Sequence, residues 1–251
     1  MIPKIIHYCW FGKNKKPAEL VKYIEGWRRI CPNIEIKEWN EDNFDISRSR
    51  YAREAYKAEK WAFVSDYARY RILYEYGGIC MDTDVELIKP LDGILQECEK
   101  CGAKGFMGIE RPENGEVNPG LICGAEPRNA IIKELLMGYK GRSFSDDKKK
   151  KLTPTVVDFT TECLKKRGLS GANELQMVDG IRIYPAEFFN PMDMSTGRVN
   201  LTSNTVSIHH FEASWVDPYS KFRGRVYRRI KRTFGEKTAE KFRYIFGRKK
   251  Q

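Results

Sequence analysis

No apolar run in these 251 residues approaches the length of a membrane-spanning helix. The opening segment, MIPKIIHYCWFGKNKKP, lacks the basic start, apolar middle and small-residue cleavage site of a signal peptide. Seven cysteines, odd in number and irregular in spacing, do not make the framework of a small secreted fold. The one CxxC, Cys98 to Cys101, has no second copy to complete a zinc site and reads as two thiols in a surface turn. There is no internal repeat, and the only biased stretch is DDKKKK (146–151), a solvated turn. These absences together predict a cytosolic protein.

A hydrophobic content of 41% with 12% aromatics supports a sizeable core, and the length fits one large domain with a small appendage. The net charge of +11 is not spread along the chain. Residues 221–251 hold thirteen Lys/Arg against Glu236 and Glu240, so the whole excess sits there and residues 1–220 balance.

PKIIHYCW, NIEIKEW, GFMGIE, NPGLICGA, IRIYP and VSIHHF read as strands. Leu20, Ile24, Trp27 and Ile30 recur at helical spacing behind Pro17. Residues 48–76 are helical in pattern, in two pieces, and stop at Gly77-Gly78 as a left-handed cap requires. Residues 128–140 and 154–167 are predicted helices, and ICMDTDVELI is rich in β-formers. Strands alternating with helices predict an α/β domain with a mainly parallel sheet, whose ligands bind at the carboxyl ends of the strands. The chemistry-bearing residues fall at such places.

Asp82 and Asp84 follow a helix, a double glycine and a short apolar strand. Unpaired carboxylates are costly to bury there, and two acids one residue apart can grip a hard divalent cation where the strand breaks into a loop. A solvated turn is the competing reading, and the short DxD pattern alone does not decide between them. Asp66 and Arg69 share a helix face, either as a plain ion pair or as acceptor and donor toward sugar hydroxyls. Trp10, where the first strand gives way to a loop, suits stacking on a nucleobase as well as it suits the core, whereas His7 reads as a satisfied core histidine. His209 and His210 are adjacent at a strand end, so only one can face a given side, and an imidazole added to two carboxylates suits Mn²⁺. Beyond them, Ser214 and Trp215 carry a hydroxyl and an indole N–H able to reach a phosphate.

The segments IPKIIHYCWFG, WAFVSDYARYRILYEYGGICMDTDVELIKPL and HHFEASW together resemble the DXD-containing sugar transferases of glycosyltransferase family 32. That family includes bacterial capsule and lipopolysaccharide enzymes and relatives of fungal mannosyltransferases, with clostridial toxin glucosyltransferase domains more distant. The resemblance covers residues 1–92 and 205–216 and is thin between them. It implies a GT-A type single Rossmann-like domain over 1–220, a nucleotide-sugar donor, a divalent cation (Mn²⁺ or Mg²⁺) and retention of configuration. By the same resemblance Trp10 stacks on the base, Asp66 and Arg69 hold the donor sugar, and Asp82 faces ribose and sugar. Asp84 is the direct metal ligand and His210 completes the metal site. Gly78 joins the donor-binding set, Ser214 and Trp215 contact the diphosphate, and Asn118 approaches the transferred sugar.

In residues 221–251, Phe222, Val226, Ile230 and Phe234 recur every four residues, followed by Phe242, Ile245 and Phe246 beyond Gly235. This predicts one or two basic amphipathic helices, lying on an anionic membrane or packed on the domain. No nucleic-acid motif accompanies the charge. The expected protein is a retaining hexosyltransferase peripheral to the inner face of the cell membrane. UDP-Gal or UDP-Glc is favoured over GDP-Man as donor, and the acceptor is a lipid-linked glycan of a bacterial surface polysaccharide. The rival readings are a metal-dependent nucleotidyltransferase or phosphohydrolase using the same acids, and a non-enzymatic membrane- or polyanion-binding protein acting through the tail.

Overall fold

The computed structural model describes residues 1–145, 155–193, 195–212, 218–236, 238 and 240–241. The elements run β1 (Ile5–Cys9), α1 (Ala18–Ile30), β2 (Glu35–Trp39), α2 (Arg50–Lys57), α3 (Trp61–Tyr76), β3 (Gly78–Cys80), β4 (Val85–Leu87) and α4 (Asp92–Cys101). They continue with β5 (Gly105–Arg111), β6 (Glu116–Ala125), α5 (Ala130–Met137), α6 (Val156–Lys165), β7 (Gln176–Val178), β8 (Ile181–Tyr184), α7 (Ala186–Phe189), β9 (Ser207–His209) and α8 (Pro218–Phe234). The helix α4 and the strand β7 are not apparent in the sequence pattern, and the CxxC lies in the last turn of α4 instead of a surface turn. The DDKKKK run and the second half of the basic tail lie outside the described residues.

Seven strands form one sheet in the order β2-β1-β3-β6-β5-β8-β7. The pairs β1–β2, β1–β3 and β5–β8 are parallel, so β1, β2, β3, β5 and β8 point one way and only β6 and β7 oppose them. This is a mixed α/β domain whose central sheet is parallel in most of its strands. The sheet is covered on both sides, as such sheets must be. One core cluster joins residues of α2, α3, α5 and α6 to the sheet, and the other joins α1, α4 and α7.

Two details position the site. The run 78–87 is not one strand: β3 stays in the large sheet, while β4 leaves it to pair antiparallel with β9 in a small two-stranded sheet. Buried Trp27 of α1 donates its indole N–H to the Val85 carbonyl at 2.8 Å, fixing β4 from outside that sheet. Second, β5 and β6 part company twice. Met107 pairs with Cys123 but Gly108 with Asn118, so residues 119–122 bow out of the ladder; Ile109 pairs with Val117 and Arg111 with Glu116, leaving Glu110 as an extra residue. Such bulges re-aim side chains beside active sites.

Candidate active site

Asp82 and Asp84 occupy the break between β3 and β4. The β4–β9 register sets Val85 opposite His209, which delivers that imidazole to the two acids from 125 positions along the chain. His209 Nε2 lies 3.1 Å from Asp84 Oδ1 and 3.9 Å from Asp82 Oδ2. The alignment is not that of a hydrogen bond: neither ring nitrogen of buried His209 has a hydrogen-bond partner among the described residues. One donor atom from each of Asp82, Asp84 and His209 falls within 4.8 Å of the others. The edge of Phe211 covers the imidazole, with ring centroids 4.1 Å apart.

Asp84 is anchored on its other side. Its Oδ2 accepts from the Glu212 amide at 2.8 Å, and its carbonyl from the His210 amide at 3.0 Å. Burial alone would raise its pKa, but the His209 charge and the Glu212 amide outweigh it and hold the carboxyl down at about 2. Burial likewise disfavours the His209 cation, and the charge of Asp84 reverses that, so the imidazole pKa is raised.

The expected ligand His210 is turned away. Its ring stacks on Tyr23 of α1, with centroids 4.8 Å apart and planes 6° from parallel, and its Nε2 meets Glu86 Oε2 at 2.8 Å. His209 is therefore the histidine of the acid cluster, and the expectation for His210 is corrected. The reason is the β-alternation itself: adjacent strand residues face opposite ways, and the pairing with β4, which sequence does not display, decides which one faces in.

Arg69 stands behind Asp82. It is 4% exposed on α3, a helix whose residues are mostly buried or half-buried, so its charge needs partners. Its Nη2 donates to Asp82 Oδ1, and its Nη1 lies 3.6 Å from Asp66 Oδ1 without a hydrogen bond. Burial drives the Asp66 pKa up to about 7 against the pull of Arg69. The structure thus brings Asp66, Arg69, Asp82 and Asp84 into one network.

Asn118 adjoins it through Gly120. Its Oδ1 accepts from the Gly120 amide at 2.6 Å, and the Gly120 carbonyl accepts from the Asp82 amide at 2.9 Å. A side chain on Gly120 would collide with Asp82 Oδ2, so only glycine lets β6 approach the acid this closely. Asn118 Nδ2 donates to Glu110, a buried acid whose pKa burial raises while Asn118 and the His209 charge pull it back. Glu110 and Gly120 escape sequence reasoning, because their places depend on the bulges of β5 and β6.

Trp10, just past β1, is half-buried; its indole N–H donates to the Asn14 carbonyl at 2.7 Å and Lys16 lies 5.8 Å over its ring. Its neighbour Cys9 feels the charges of Arg69, Asp82 and Asp66, which sets the end of β1 beside the network. Gly78, expected in the donor-binding set, packs instead against His7: a Cβ there would lie 2.8 Å from the His7 Nε2 and from the Ile5 carbonyl. It is glycine because its φ is +93° and the sheet is tight. Ser214 and Trp215 lie outside the described residues.

Residues 17–100 match the family model described as the glycosyltransferase sugar-binding region containing DXD motif. An uncharacterized glycosyltransferase of Acanthamoeba polyphaga mimivirus is 28% identical over 200 residues, 76% of each chain. Inositol phosphoceramide mannosyltransferase 1 of Schizosaccharomyces pombe is 29% identical over 107 residues, 38% of this chain and 32% of the yeast protein, so the match spans about a third of that relative. Solved structures that align with the chain include the PaToxG glycosyltransferase (16% identity, 66% and 69% coverage, TM-score 0.49). Another is the galactosyltransferase LgtC in complex with donor and acceptor sugar analogs (14% identity, 97% and 95% coverage, TM-score 0.49). Residues 17–100, which include Asp82 and Asp84, are thus similar to the DXD-containing sugar-binding region of glycosyltransferases, and the wider chain is similar to a viral glycosyltransferase.

Proposed function

We propose that the chain is a metal-dependent, retaining hexosyltransferase that takes its sugar from a nucleotide donor, UDP-Gal or UDP-Glc before GDP-Man. One observation carries the reading: two carboxylates converge within 4.8 Å on an imidazole that has no hydrogen-bond partner among the described residues. An oxygen-rich set with one imidazole suits Mn²⁺ or Mg²⁺, and Asp84, held near pKa 2, is ionised at neutral pH. Asp84, Asp82 and His209 would hold the ion. A bound divalent cation supplies charge neutralisation for a diphosphate leaving group.

The chain's own residues do the rest. Arg69 grips the Asp82 carboxylate from behind, so the acid does not reorganise as charge develops. Asp66 offers a second acceptor beside it for donor hydroxyls, Trp10 a flat surface for the base, and Ser214 and Trp215 a hydroxyl and an indole N–H for the diphosphate. The decisive assay incubates the full chain with UDP-Gal, UDP-Glc and GDP-Man, with Mn²⁺ or EDTA. Metal-dependent release of the nucleoside diphosphate is expected, and Asp84→Asn abolishes it. Pyrophosphate or phosphate as product supports the nucleotidyltransferase or phosphohydrolase reading instead, and metal-independent turnover overturns the proposal.

The acceptor we propose is a lipid-linked glycan of a bacterial surface polysaccharide, met at the inner face of the cell membrane. Support comes from α8, whose span 218–234 has seven Lys/Arg and no acid. At about 100° per residue, Tyr219, Phe222, Val226, Ile230 and Phe234 share one arc of roughly 120°. Tyr219, Phe222 and Phe234 are exposed, while Arg228 lies over Gly197 and Lys231 senses Asp193 on the domain side. No helix among the described residues is long and apolar enough to cross a membrane. Co-sedimentation with anionic but not zwitterionic vesicles, lost in Phe222→Glu, is the expected result; equal binding to both overturns it.

A further inference from the structure

We propose that Glu110 is a positioning residue: acting through the Asn118 amide, it fixes the bowed segment 119–122 so that Gly120 backs the Asp82 carboxylate and holds it toward Asp84 and His209.

The residues form a chain of direct contacts. Glu110 is the extra residue of the lower β5–β6 irregularity and is 5% exposed. Its Oε2 accepts from Asn118 Nδ2, Asn118 Oδ1 accepts from the Gly120 amide at 2.6 Å, and the Gly120 carbonyl accepts from the Asp82 amide at 2.9 Å. Gly120 also lies directly against Asp82 Oδ2. From the other side, Asn190 of the α7 end donates to the Glu110 carbonyl at 2.9 Å and fixes the backbone of the bulge.

The residue type follows from the direction of these bonds. A primary amide has a donor end and an acceptor end, and Asn118 must present its oxygen to the Gly120 N–H. An ionised carboxylate only accepts, so Glu110 permits one orientation of Asn118. A glutamine there has two, one of which sends a donor to Asn118 and turns the Asn118 oxygen away from Gly120. The segment 119–122 has left the β5 ladder and needs this side-chain anchor, since its backbone groups no longer have the strand partners of a regular sheet.

This inference rests on the proposed use of Asp82 as a metal-site acid, and its test has an arm independent of any metal. In the full chain, amide hydrogen exchange at Gly120 is expected to quicken at least tenfold in Glu110→Ala, with Glu110→Gln between it and the parent. Exchange elsewhere in β5 and β6 changes less. Mn²⁺ affinity by calorimetry is expected to weaken about tenfold in the same order, the usual scale for a group behind a ligand. The double variant Glu110→Ala/Asn118→Ala is expected to be no worse than the poorer single one, because both break one relay. A merely structural Glu110 lowers the melting temperature, leaves Mn²⁺ affinity intact and speeds exchange across both strands alike; that result overturns the proposal. Should the parent bind no Mn²⁺, the metal reading falls, while the Gly120 amide still judges the relay.

Discussion

Acid should weaken this fold well before it protonates Asp84, and His7 is the reason. The residue is 1% exposed in β1, with Nδ1 accepting from the Trp39 indole at 3.1 Å and Nε2 at 3.0 Å from the Gly77 carbonyl. Those bonds suit a neutral ring with its proton on Nε2. Burial, only partly offset by the Gly77 carbonyl, lowers its pKa from 6.5 to about 4. A histidine depressed in this way is proton-poor in the folded state. The unfolded chain takes up the proton first, so stability is full above the unfolded pKa near 6.5 and falls as pH drops toward 4. Between pH 7 and pH 5 the single group costs about 2 kcal/mol, and about 3 kcal/mol by pH 4, since each tenfold change in the proton-binding ratio is worth about 1.4 kcal/mol. The His7 carbonyl accepts from the Met81 amide at 3.2 Å, one residue before Asp82, so loss of β1 takes the acid cluster with it. The measurement is urea denaturation of the parent and His7→Gln from pH 7 to pH 5. The variant should be weaker at pH 7 but lose about 2 kcal/mol less over the interval. Parallel curves for the two proteins would refute the argument.

Alanine at His209 should remove metal-stimulated turnover by about a thousandfold, on the several-kcal/mol scale of a lost ion-holding group, whereas alanine at His210 should act mainly through lost packing on Tyr23. Steady-state assays over a Mn²⁺ series decide it, and equal defects would show that β9 does not discriminate between them. Gly120→Ala should displace Asp82, seen as a Mn²⁺ activation midpoint raised at least tenfold, and an unchanged midpoint would show that β6 does not hold the acid. Arg69→Met should cost about 3–5 kcal/mol by urea melts, because Asp66 and Asp82 then stand without their cation; a loss below about 1 kcal/mol would mean that the acids are already solvated.

The local signals in the chain carried far. Gly77 does cap α3, with φ +65° and its amide on the Leu73 carbonyl at 2.9 Å, and the 48–76 helical run does divide, at Glu59 in the left-handed region. Asp66 and Arg69 do share a face, because i and i+3 neighbours must. Less legible was anything set by strand pairing. The β-rich run through Asp82 and Asp84 hides a change of sheet, since a strand leaving one sheet for another keeps the same alternation. Gly78 shows the converse: a glycine beside a motif drew a binding role from resemblance, while its neighbours His7 and Ile5 give it a packing one.

Sequence by itself determined the α/β class, the glycine cap that ends α3, the basic tail and the DXD acids, because each depends on residues within a few positions of one another. Tertiary structure decided that His209 meets those acids, that Arg69 backs Asp82, and that Glu110 and Asn118 stand behind Gly120. His209 meets the acids across 125 and 127 positions and Glu110 meets Asn118 across 8, both fixed by register and bulges between strands, while Arg69 reaches Asp82 from a helix 13 positions away; register is a property of two segments that neither one carries alone.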